Sequence, residues 1–437
     1  MDFMKNYITD IDKRIEFSKD YSLCESVLPE GIFFPETTEE VSEIVKEAVL
    51  KNKTITVRGG GSGVVGGCIP SDINTYVISL EKFNKIQIFE NDFIARVGAG
   101  VNTLEFQNEC RKFGLFFPPD PSSADISTIG GNIACGAGGM RGFRYGTVKD
   151  YILSVEFVDG KGNIVRAGTE TLKRSAGYNL VNLICGSEGT LGIITEASFK
   201  LLPEPAFRKT LLIGFDTFRE LISRFTDFMK QGVIPSNAEF IDSNTLKVIK
   251  NFFPEKISSN SPCLLLELDG ITENTVNYQI EVIKKTCNSN LVYEGIECEK
   301  AWTGRKKLRL ELAKVKPNVF SEDFVLKYSC IADFIEYSEN LLKLENICFY
   351  NFGHIIDGNI HFSVVFENSD EKNKLHEYIK KLSSYVIKKG GTISGEHGIG
   401  LYKKEFLEEE NSNVVNYMRQ IKKIFDPHNV LNRGKVI

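Results

Sequence analysis

Apolar residues recur every three to four positions between Phe34 and Leu50, and a short run of β-branched residues follows them. The opening letters, F-P-E-T-T-E-E-V-S-E, place threonines just before glutamates, which is typical of a capped helix start. The pattern therefore predicts an amphipathic helix that leads directly into a strand, Thr54–Arg58, and then into a glycine turn. Residues 1–30 are also predicted to be helical.

Between residues 76 and 200 the chain alternates short β-rich runs with helical patterns and many glycines, as in an α+β domain. After Pro203 and Pro205 the alternations lengthen, with helical patterns such as F-R-E-L-I-S-R-F-T-D-F-M-K-Q-G and strand patterns such as P-C-L-L-L-E-L-D-G. This mixture favours a βαβ-type or ferredoxin-like domain. We predict an α+β fold with domains over residues 1–205 and 206–405, followed by a C-terminal helix and an irregular tail over 406–437.

Composition excludes several classes of function. The chain has 437 residues, 42% of them hydrophobic, and no run approaches the roughly 18 apolar residues of a membrane span. The charged N-terminus lacks the apolar stretch of a signal peptide, so we expect a cytoplasmic protein. A net charge of -5 with interspersed signs argues against nucleic-acid binding and against docking on anionic lipid. The ten cysteines form no C-x-x-C pair, which argues against a zinc ribbon or an iron–sulfur cluster.

The loop T-I-T-V-R-G-G-G-S-G-V-V-G-G contains Gly61, Gly63 and Gly66 in G-x-G-x-x-G spacing after a strand. A dinucleotide-binding Rossmann site needs a helix after the third glycine, whereas Pro70 and a further strand pattern follow here. The absence of G-K-[ST] excludes a P-loop. Successive N–H groups of such a loop form an anion-binding concavity that suits a pyrophosphate. The alternative is a glycine-rich hairpin without a ligand.

Two further glycine clusters follow in the same domain. The first, S-T-I-G-G-N-I-A-C-G-A-G-G, has Ser127, Thr128 and Asn132 as polar neighbours, and the second, C-G-S-E-G-T-L-G, directly precedes a strand. Glycines allow a backbone to approach a ligand closely. Three clusters in one domain indicate one large cofactor lying across it.

The order of motifs is similar to that of the FAD-linked 2-hydroxy-acid dehydrogenases. The motifs are R-G-G-G-S-G, P-P-D-P-S-S, T-I-G-G-N-I-A, G-S-E-G-T-L-G, G-H-x-x-D-G-N-x-H, G-E-H-G-I-G and a closing F-D-P-x-N. They resemble the D-lactate, glycolate and D-2-hydroxyglutarate dehydrogenase branch of the vanillyl-alcohol-oxidase superfamily over nearly the whole chain. The resemblance implies a two-subdomain FAD-binding domain of that type, a ferredoxin-like substrate (cap) domain, and a tail that returns to the FAD domain.

The resemblance also implies which residues bind FAD, with the pyrophosphate on Gly59–Gly63. The full set of implied cofactor-binding residues is Arg58, Gly59, Gly60, Gly61, Ser62, Gly63, Pro119, Asp120, Ser127, Thr128, Gly131, Asn132, Ala134, Gly189, Gly192, Ile194 and Asn432. Some members of the superfamily attach FAD through histidine, but the first 353 residues contain none. Because Cys135 is expected to be a small packed residue, we predict non-covalent FAD.

Two of the five histidines, His354 and His361, flank the turn I-I-D-G-N within strand-like sequence. A hairpin would bring them together. The segment S-G-E-H-G-I-G offers Glu396 as a third ligand, which completes a facial set suited to Zn²⁺, Mn²⁺ or Fe²⁺. The alternative is that both histidines are bound to backbone groups. In family members that bind metal, the positions that match these three residues are the ligands.

Two further site residues follow from the same resemblance. The position of His397 is that of the general base, and Arg305, in a W-x-x-R pattern, matches an arginine that grips the substrate carboxylate. The chain also departs from the family pattern. Ile356 stands where a glycine is common, and Lys327 and Tyr328 replace a Pro-Arg pair.

We therefore predict FAD- and metal-dependent oxidation of a D-2-hydroxy acid, with D-lactate as the first candidate. With no second redox group encoded, the electrons need an external acceptor, such as electron-transfer flavoprotein or an iron–sulfur partner. The alternatives are a metal-independent flavin oxidase and a non-catalytic FAD-binding subunit of an oxidase complex.

Overall fold

The computed structural model describes residues 6–288, 292–343 and 347–437, which fall into two compact units. The first unit contains residues up to Gly139, Gly146–Glu204 and Glu396–Ile437, and the second contains Met140–Tyr145 and Pro205–Gly395. The first is therefore assembled from sequence at both ends of the chain. Among the described residues, none of the helices combines the length and apolar character that crossing a bilayer requires.

The elements up to residue 204 are, in chain order, β1 (Tyr7–Ile8), α1 (Ile11–Phe17), β2 (Gly31–Phe33), α2 (Thr38–Leu50), β3 (Thr54–Arg58), β4 (Thr75–Ser79), β5 (Ile86–Phe89), β6 (Ile94–Gly98), α3 (Thr103–Arg111), β7 (Leu115–Phe116), α4 (Ile129–Cys135), α5 (Gly142–Tyr145), β8 (Ile152–Val158), β9 (Ile164–Gly168), α6 (Leu180–Ile184), β10 (Ile193–Lys200) and β11 (Leu202–Pro203).

The later elements are β12 (Phe207–Gly214), α7 (Phe218–Lys230), β13 (Asn237–Ile241), α8 (Ser243–Val248), β14 (Cys263–Gly270), α9 (Glu273–Cys287), β15 (Val292–Glu294), α10 (Ile296–Lys306), α11 (Leu308–Val315), β16 (Asn318–Val325), α12 (Tyr328–Lys343), β17 (Phe349–His354), β18 (Asn359–Phe366), α13 (Ser369–Lys388) and α14 (Lys404–Phe425).

The predicted helix–strand–glycine sequence is confirmed. Helix α2 begins after Thr37, whose side chain accepts the N–H of Glu40 at 3.2 Å, and β3 covers the expected residues. The helix buries Val41, Ile44 and Val45 against the core of the first unit. The apolar spacing was sufficient to predict this helix, because the spacing of the buried residues and the capping threonine indicate the same element.

The prediction that residues 1–30 are helical is wrong for most of the part that can be compared, and residues 1–5 lie outside the described chain. Helix α1 stops at Phe17. Beyond it the Asp20 side chain accepts the N–H of Ser22, which forms a local turn, and the N–H of Tyr21 donates to the carbonyl of Gly63 at 2.9 Å. Side-chain and long-range hydrogen bonds replaced the helical ones.

The first unit has two main sheets. A four-stranded sheet, order β1-β2-β4-β3, is parallel except for β1, and a five-stranded antiparallel sheet has the order β5-β6-β10-β8-β9. The C-terminal tail returns to the first sheet, where the N–H of Ile55 donates to the carbonyl of Val430 at 2.7 Å. Leu431 forms a parallel bridge with Ile55.

The second unit is built on a seven-stranded antiparallel sheet, order β15-β12-β14-β13-β17-β18-β16. Four of these strands with α7 and α9 follow the β-α-β-β-α-β order of a ferredoxin-like motif. The predicted ferredoxin-like domain is therefore confirmed. Strands β17 and β18 form the predicted hairpin, and the loop between them is residues 355–358.

Candidate active site

A cavity in the first unit collects most of the residues that the sequence predicted to bind the cofactor. Those that line it are Gly59, Gly60, Gly61, Ser62, Gly63, Ser127, Thr128, Gly131, Asn132, Ala134, Gly189, Gly192, Ile194 and Asn432. They come from three separated glycine clusters and the tail, as one large ligand requires. Glu396 and His397 line the same cavity.

The glycine loop after β3 presents its backbone to this cavity. In the described part of the chain, the N–H groups of residues 59–63 donate no hydrogen bond to another backbone group. Gly61 has φ +70, a conformation that side chains disfavour. A turn of this kind with free N–H donors fits an anionic pyrophosphate.

The neighbouring polar residues are held in place by their own contacts. Thr128 caps α4 by accepting the N–H of Gly131 at 3.3 Å, and Asn132 donates to the Thr103 hydroxyl at 2.7 Å. Asn432 accepts the N–H of Val57 at 3.1 Å, which attaches the tail to β3 beside the loop. These contacts fix the cavity wall in advance of a ligand.

Three predicted cofactor-binding residues do not line the cavity. The guanidinium of Arg58 donates to the carbonyl of Lys19 at 2.6 Å and lies 5.2 Å from the ring centre of Phe17, so its contacts include residues near the N-terminus. The carbonyl of Pro119 accepts the side-chain N–H of Gln107 at 2.7 Å, and Asp120 does not line the cavity. The segment that contains Pro119 and Asp120 reaches the cavity through residues 121–123.

Cys135 also lines the cavity, and its thiol donates to the carbonyl of Glu396 at 3.2 Å. The prediction that Cys135 is a small packed residue does not include this contact with the G-E-H-G-I-G segment. Glu188, the acidic residue of the G-S-E-G motif, is a second lining residue that the prediction omitted. The sequence signal for Glu188 was an acidic residue between two glycines of a predicted cofactor-binding motif.

In the second unit, the hairpin brings His354 and His361 together. Their Nε2 atoms lie 3.2 Å apart, and both side chains are buried. The Nδ1 atom of His354 is hydrogen-bonded to a carboxylate oxygen of Glu239. Since that bond occupies Nδ1, Nε2 is the nitrogen that His354 presents to a ligand.

Glu239 is fully buried and is shared between His354 and Arg305. Arg305 donates to one oxygen of Glu239 from Nε at 2.7 Å, and a terminal nitrogen lies at 2.6 Å. Burial alone would raise the pKa of Glu239, but the charges of Arg305 and His354 outweigh it and hold this pKa at about 2. Glu239 is therefore a carboxylate that orients the histidine.

Arg305 was predicted to grip the substrate carboxylate. Its guanidinium is buried, faces Glu239, and lies 4.6 Å from the ring centre of Phe352. Glu239 takes two of its five N–H donors, so three others remain beyond this ion pair. Neither Glu239 nor this pairing was foreseen, because the two residues are 66 positions apart.

Glu396 directly follows Gly395, the last residue of the second unit. Within the second unit the N–H of Gly395 donates to the carboxylate of Asp323 at 2.9 Å, beside β16. Asp323 itself is the strand partner of His361. The chain therefore enters the G-E-H-G-I-G segment from a point fixed beside the histidine hairpin.

Two family models match the chain. One, described as the FAD linked oxidases, C-terminal domain, covers residues 204–436, and the other, an FAD binding domain, covers 29–168. A "Glycolate oxidase subunit GlcD" from Bacillus subtilis is 34% identical over 97% of this chain and 92% of its own length. This chain belongs to the FAD-linked 2-hydroxy-acid dehydrogenases.

Other members of the family have different names. A "D-lactate dehydrogenase" from Archaeoglobus fulgidus is 34% identical over 92% of this chain and 90% of its own length. A "D-2-hydroxyglutarate dehydrogenase" from Stutzerimonas stutzeri is 27% identical over 98% and 95%. The family assignment made from the motifs is thus confirmed, and the cavity in the first unit belongs to an FAD-binding domain.

Solved structures show the same fold. A p-cresol methylhydroxylase with substrate bound has a TM-score of 0.83 at 15% identity, covering 99% of this chain and 93% of that one. An alkyldihydroxyacetonephosphate synthase has a TM-score of 0.76 at 22% identity, covering 98% and 82%. The predicted fold of the vanillyl-alcohol-oxidase type is confirmed.

Proposed function

We propose that this enzyme oxidises a D-2-hydroxy acid, R–CH(OH)–COO⁻, to the 2-oxo acid, with FAD and a divalent metal ion as cofactors. The observation that carries the proposal is the buried His354–His361 pair, in which Glu239 fixes the orientation of one imidazole. The two electrons and two protons released per turnover require an external acceptor. Electron-transfer flavoprotein or an iron–sulfur protein is the proposed class of acceptor.

The proposed metal ligands are His354, His361 and Glu396. Two converging imidazole nitrogens and a carboxylate are the donor set that Zn²⁺, Mn²⁺ or Fe²⁺ takes when positions stay open for substrate. When bound, FAD supplies the two-electron acceptor, and the metal supplies a Lewis acid that lowers the pKa of the substrate hydroxyl. Glu239 supports this set from behind, as carboxylates do for histidine ligands.

His397 is the proposed general base, which accepts the hydroxyl proton of the substrate. It lines the FAD cavity and adjoins Glu396 in sequence, so one short segment would carry a ligand and the base. A base in this role contributes about 10²- to 10⁴-fold to the rate. We propose that the N–H donors of Arg305 that do not face Glu239 bind the substrate carboxylate.

D-Lactate is the first candidate substrate because relatives with that name are more than 30% identical to this chain. Lys327 and Tyr328 depart from the family pattern, and they are the positions at which substrate specificity would differ from that of the relatives. A non-catalytic FAD-binding subunit is the second candidate function, since several relatives are named as oxidase subunits.

The test is anaerobic bleaching of the flavin absorbance by D-lactate, before and after removal of metal by a chelator. We expect bleaching that the chelator abolishes and that added Zn²⁺, Mn²⁺ or Fe²⁺ restores. Bleaching that survives chelation would assign the metal-independent oxidase alternative. Metal-replete enzyme that no 2-hydroxy acid reduces would contradict the proposed oxidation and favour the subunit.

A further inference from the structure

Glu188 holds the backbone of the segment that carries Glu396 and His397. Its half-buried side chain accepts the N–H of Ile399 at 2.7 Å with one carboxylate oxygen and the N–H of Gly400 at 2.8 Å with the other. All of these residues belong to the first unit. The contact joins two parts of the chain that are 211 and 212 residues apart.

The held segment has no regular structure of its own. Residues 395–403 form neither a helix nor a strand, so sheet or helix hydrogen bonds do not fix the position of His397. Gly398 has φ +82, and a Cβ atom there would lie 2.9 Å from the carboxylate carbon of Glu188. The glycine therefore leaves the space that the carboxylate occupies.

The backbone of Glu188 is itself anchored. Its φ of +49 is unusual for a residue with a side chain. Its N–H donates to the carbonyl of Ala134 at 2.7 Å, and its own carbonyl accepts the side-chain N–H of Asn432 at 2.6 Å. Such a conformation persists where surrounding contacts impose it. Glu188 is thus fixed against helix α4 on one side and the C-terminal tail on the other.

We propose that Glu188 is a positioning residue that sets the geometry of Glu396 and His397 through the N–H groups of Ile399 and Gly400. Glu188 acts through backbone that begins two residues beyond His397 and makes no proposed contact with the substrate. The inference rests on the proposed function for its catalytic consequence. Its structural part, the immobilisation of residues 396–400, is independent of any substrate.

The test compares Glu188→Ala and Glu188→Gln with a matched control, Asp159→Asn. Asp159 is buried in the first unit, and like Glu188 it accepts two backbone N–H groups: one of its oxygens accepts those of Lys161 and Asn163, each at 2.9 Å. It occupies the turn between β8 and β9 and does not line the cavity. The control therefore measures what loss of a buried carboxylate does to this unit in general.

The first readout is amide hydrogen exchange. Glu188→Ala is expected to accelerate exchange at Ile399 and Gly400 and in the peptide that contains residues 396–400, and Asp159→Asn is expected to leave that peptide unchanged. Glu188→Gln should fall between them because an amide oxygen still accepts one N–H. Wild-type exchange rates at residues 396–400 in both Glu188 variants would overturn the proposal.

The second readout is the rate of anaerobic flavin reduction by D-lactate per bound FAD. Displacement of a reacting group by about 1 Å costs on the order of 10²-fold, so we expect Glu188→Ala to lose that factor in the limiting rate constant of flavin reduction, with little change in the apparent Kd for D-lactate. Glu188→Gln should recover part of the loss. An unchanged rate constant in both variants would remove the catalytic role. If wild-type enzyme reduces no flavin, the proposed function fails, and the exchange data still decide whether Glu188 holds the segment. Should Glu188→Ala not fold, Glu188→Gln carries both comparisons.

Discussion

Individual residues of the glycine loop differ in how much space surrounds them. A Cβ atom on Gly60 would lie 2.1 Å from the carbonyl oxygen of Ile126, whereas one on Gly63 would meet its nearest neighbour, a carboxylate oxygen of Asp20, at 3.6 Å. The first approach is impossible without a backbone shift, and the second is an ordinary contact. Two glycines three residues apart therefore have different tolerance for a methyl group.

Gly60→Ala is expected to weaken FAD binding at least tenfold, because the loop must move away from Ile126 and its N–H donors move with it. Gly63→Ala is expected to lose much less. The measurement is the flavin-to-protein absorbance ratio of purified protein, followed by titration of the apoprotein with FAD. Equal affinities in the two variants would show that the loop adjusts without cost.

Sequence reasoning identified residues whose type is itself the signal. The glycine run after β3 indicates close approach of a ligand to the backbone, and all the glycines predicted to bind FAD line the cavity. The roles of Glu188 and Glu239 were not predicted, because the residues next to a carboxylate in sequence do not indicate its partner in the folded protein. Each acts on a segment more than 100 residues away. Such pairings depend on tertiary structure and have no periodicity to detect.

Among the elements, the turn of the β17–β18 hairpin and the start of helix α12 each contain a departure from the family pattern, and the two residues are in contact. The hydroxyl of Tyr328, at the start of α12, donates to the carbonyl of Ile356 in the hairpin turn at 2.5 Å. Ile356 is fully buried. A residue that replaces glycine and a residue that replaces arginine thus form one local arrangement. The sequence showed both changes and gave no sign that they meet.

Tyr328→Phe should leave the carbonyl of Ile356 without this donor, and a buried unsatisfied group costs about 1–3 kcal/mol. We expect the free energy of unfolding to fall by that amount and amides in the turn to exchange faster. Tyr337→Phe, which removes the same atom from the same helix, is the control. Tyr337 stacks on Tyr385 through its ring, with centroids 4.3 Å apart. A loss of equal size in both variants would argue against a specific role for the Ile356 contact.

At the scale of the whole molecule, the first unit depends on residues from the far end of the chain. Lys422, on α14, is buried and pairs with Asp426, and it donates to the carbonyls of Thr190 at 2.7 Å and Leu431 at 2.8 Å. One ammonium group therefore joins the last helix, the tail and the third glycine cluster. The motifs predicted the return of the tail, and the lysine that fastens it was not among the predicted residues.

Lys422→Met should destabilise the first unit by about 3–5 kcal/mol, because it leaves the carboxylate of Asp426 buried without its cation. The double variant Lys422→Met/Asp426→Asn should lose less, since no charge stays behind. Thermal unfolding followed by the fluorescence of released flavin reports on this unit. A double variant that is less stable than Lys422→Met would contradict this account of the pair.

The joining of the tail to β3 has a consequence for biosynthesis. Val57 and its partner Asn432 are 375 residues apart. At about 5–20 residues per second, a ribosome needs on the order of 20–75 seconds to translate that interval. During this time the edge of β3 has no strand-like neighbour on its outer side, and exposed edges invite pairing with other chains. The nascent protein is therefore expected to be most prone to aggregate through this edge before translation ends.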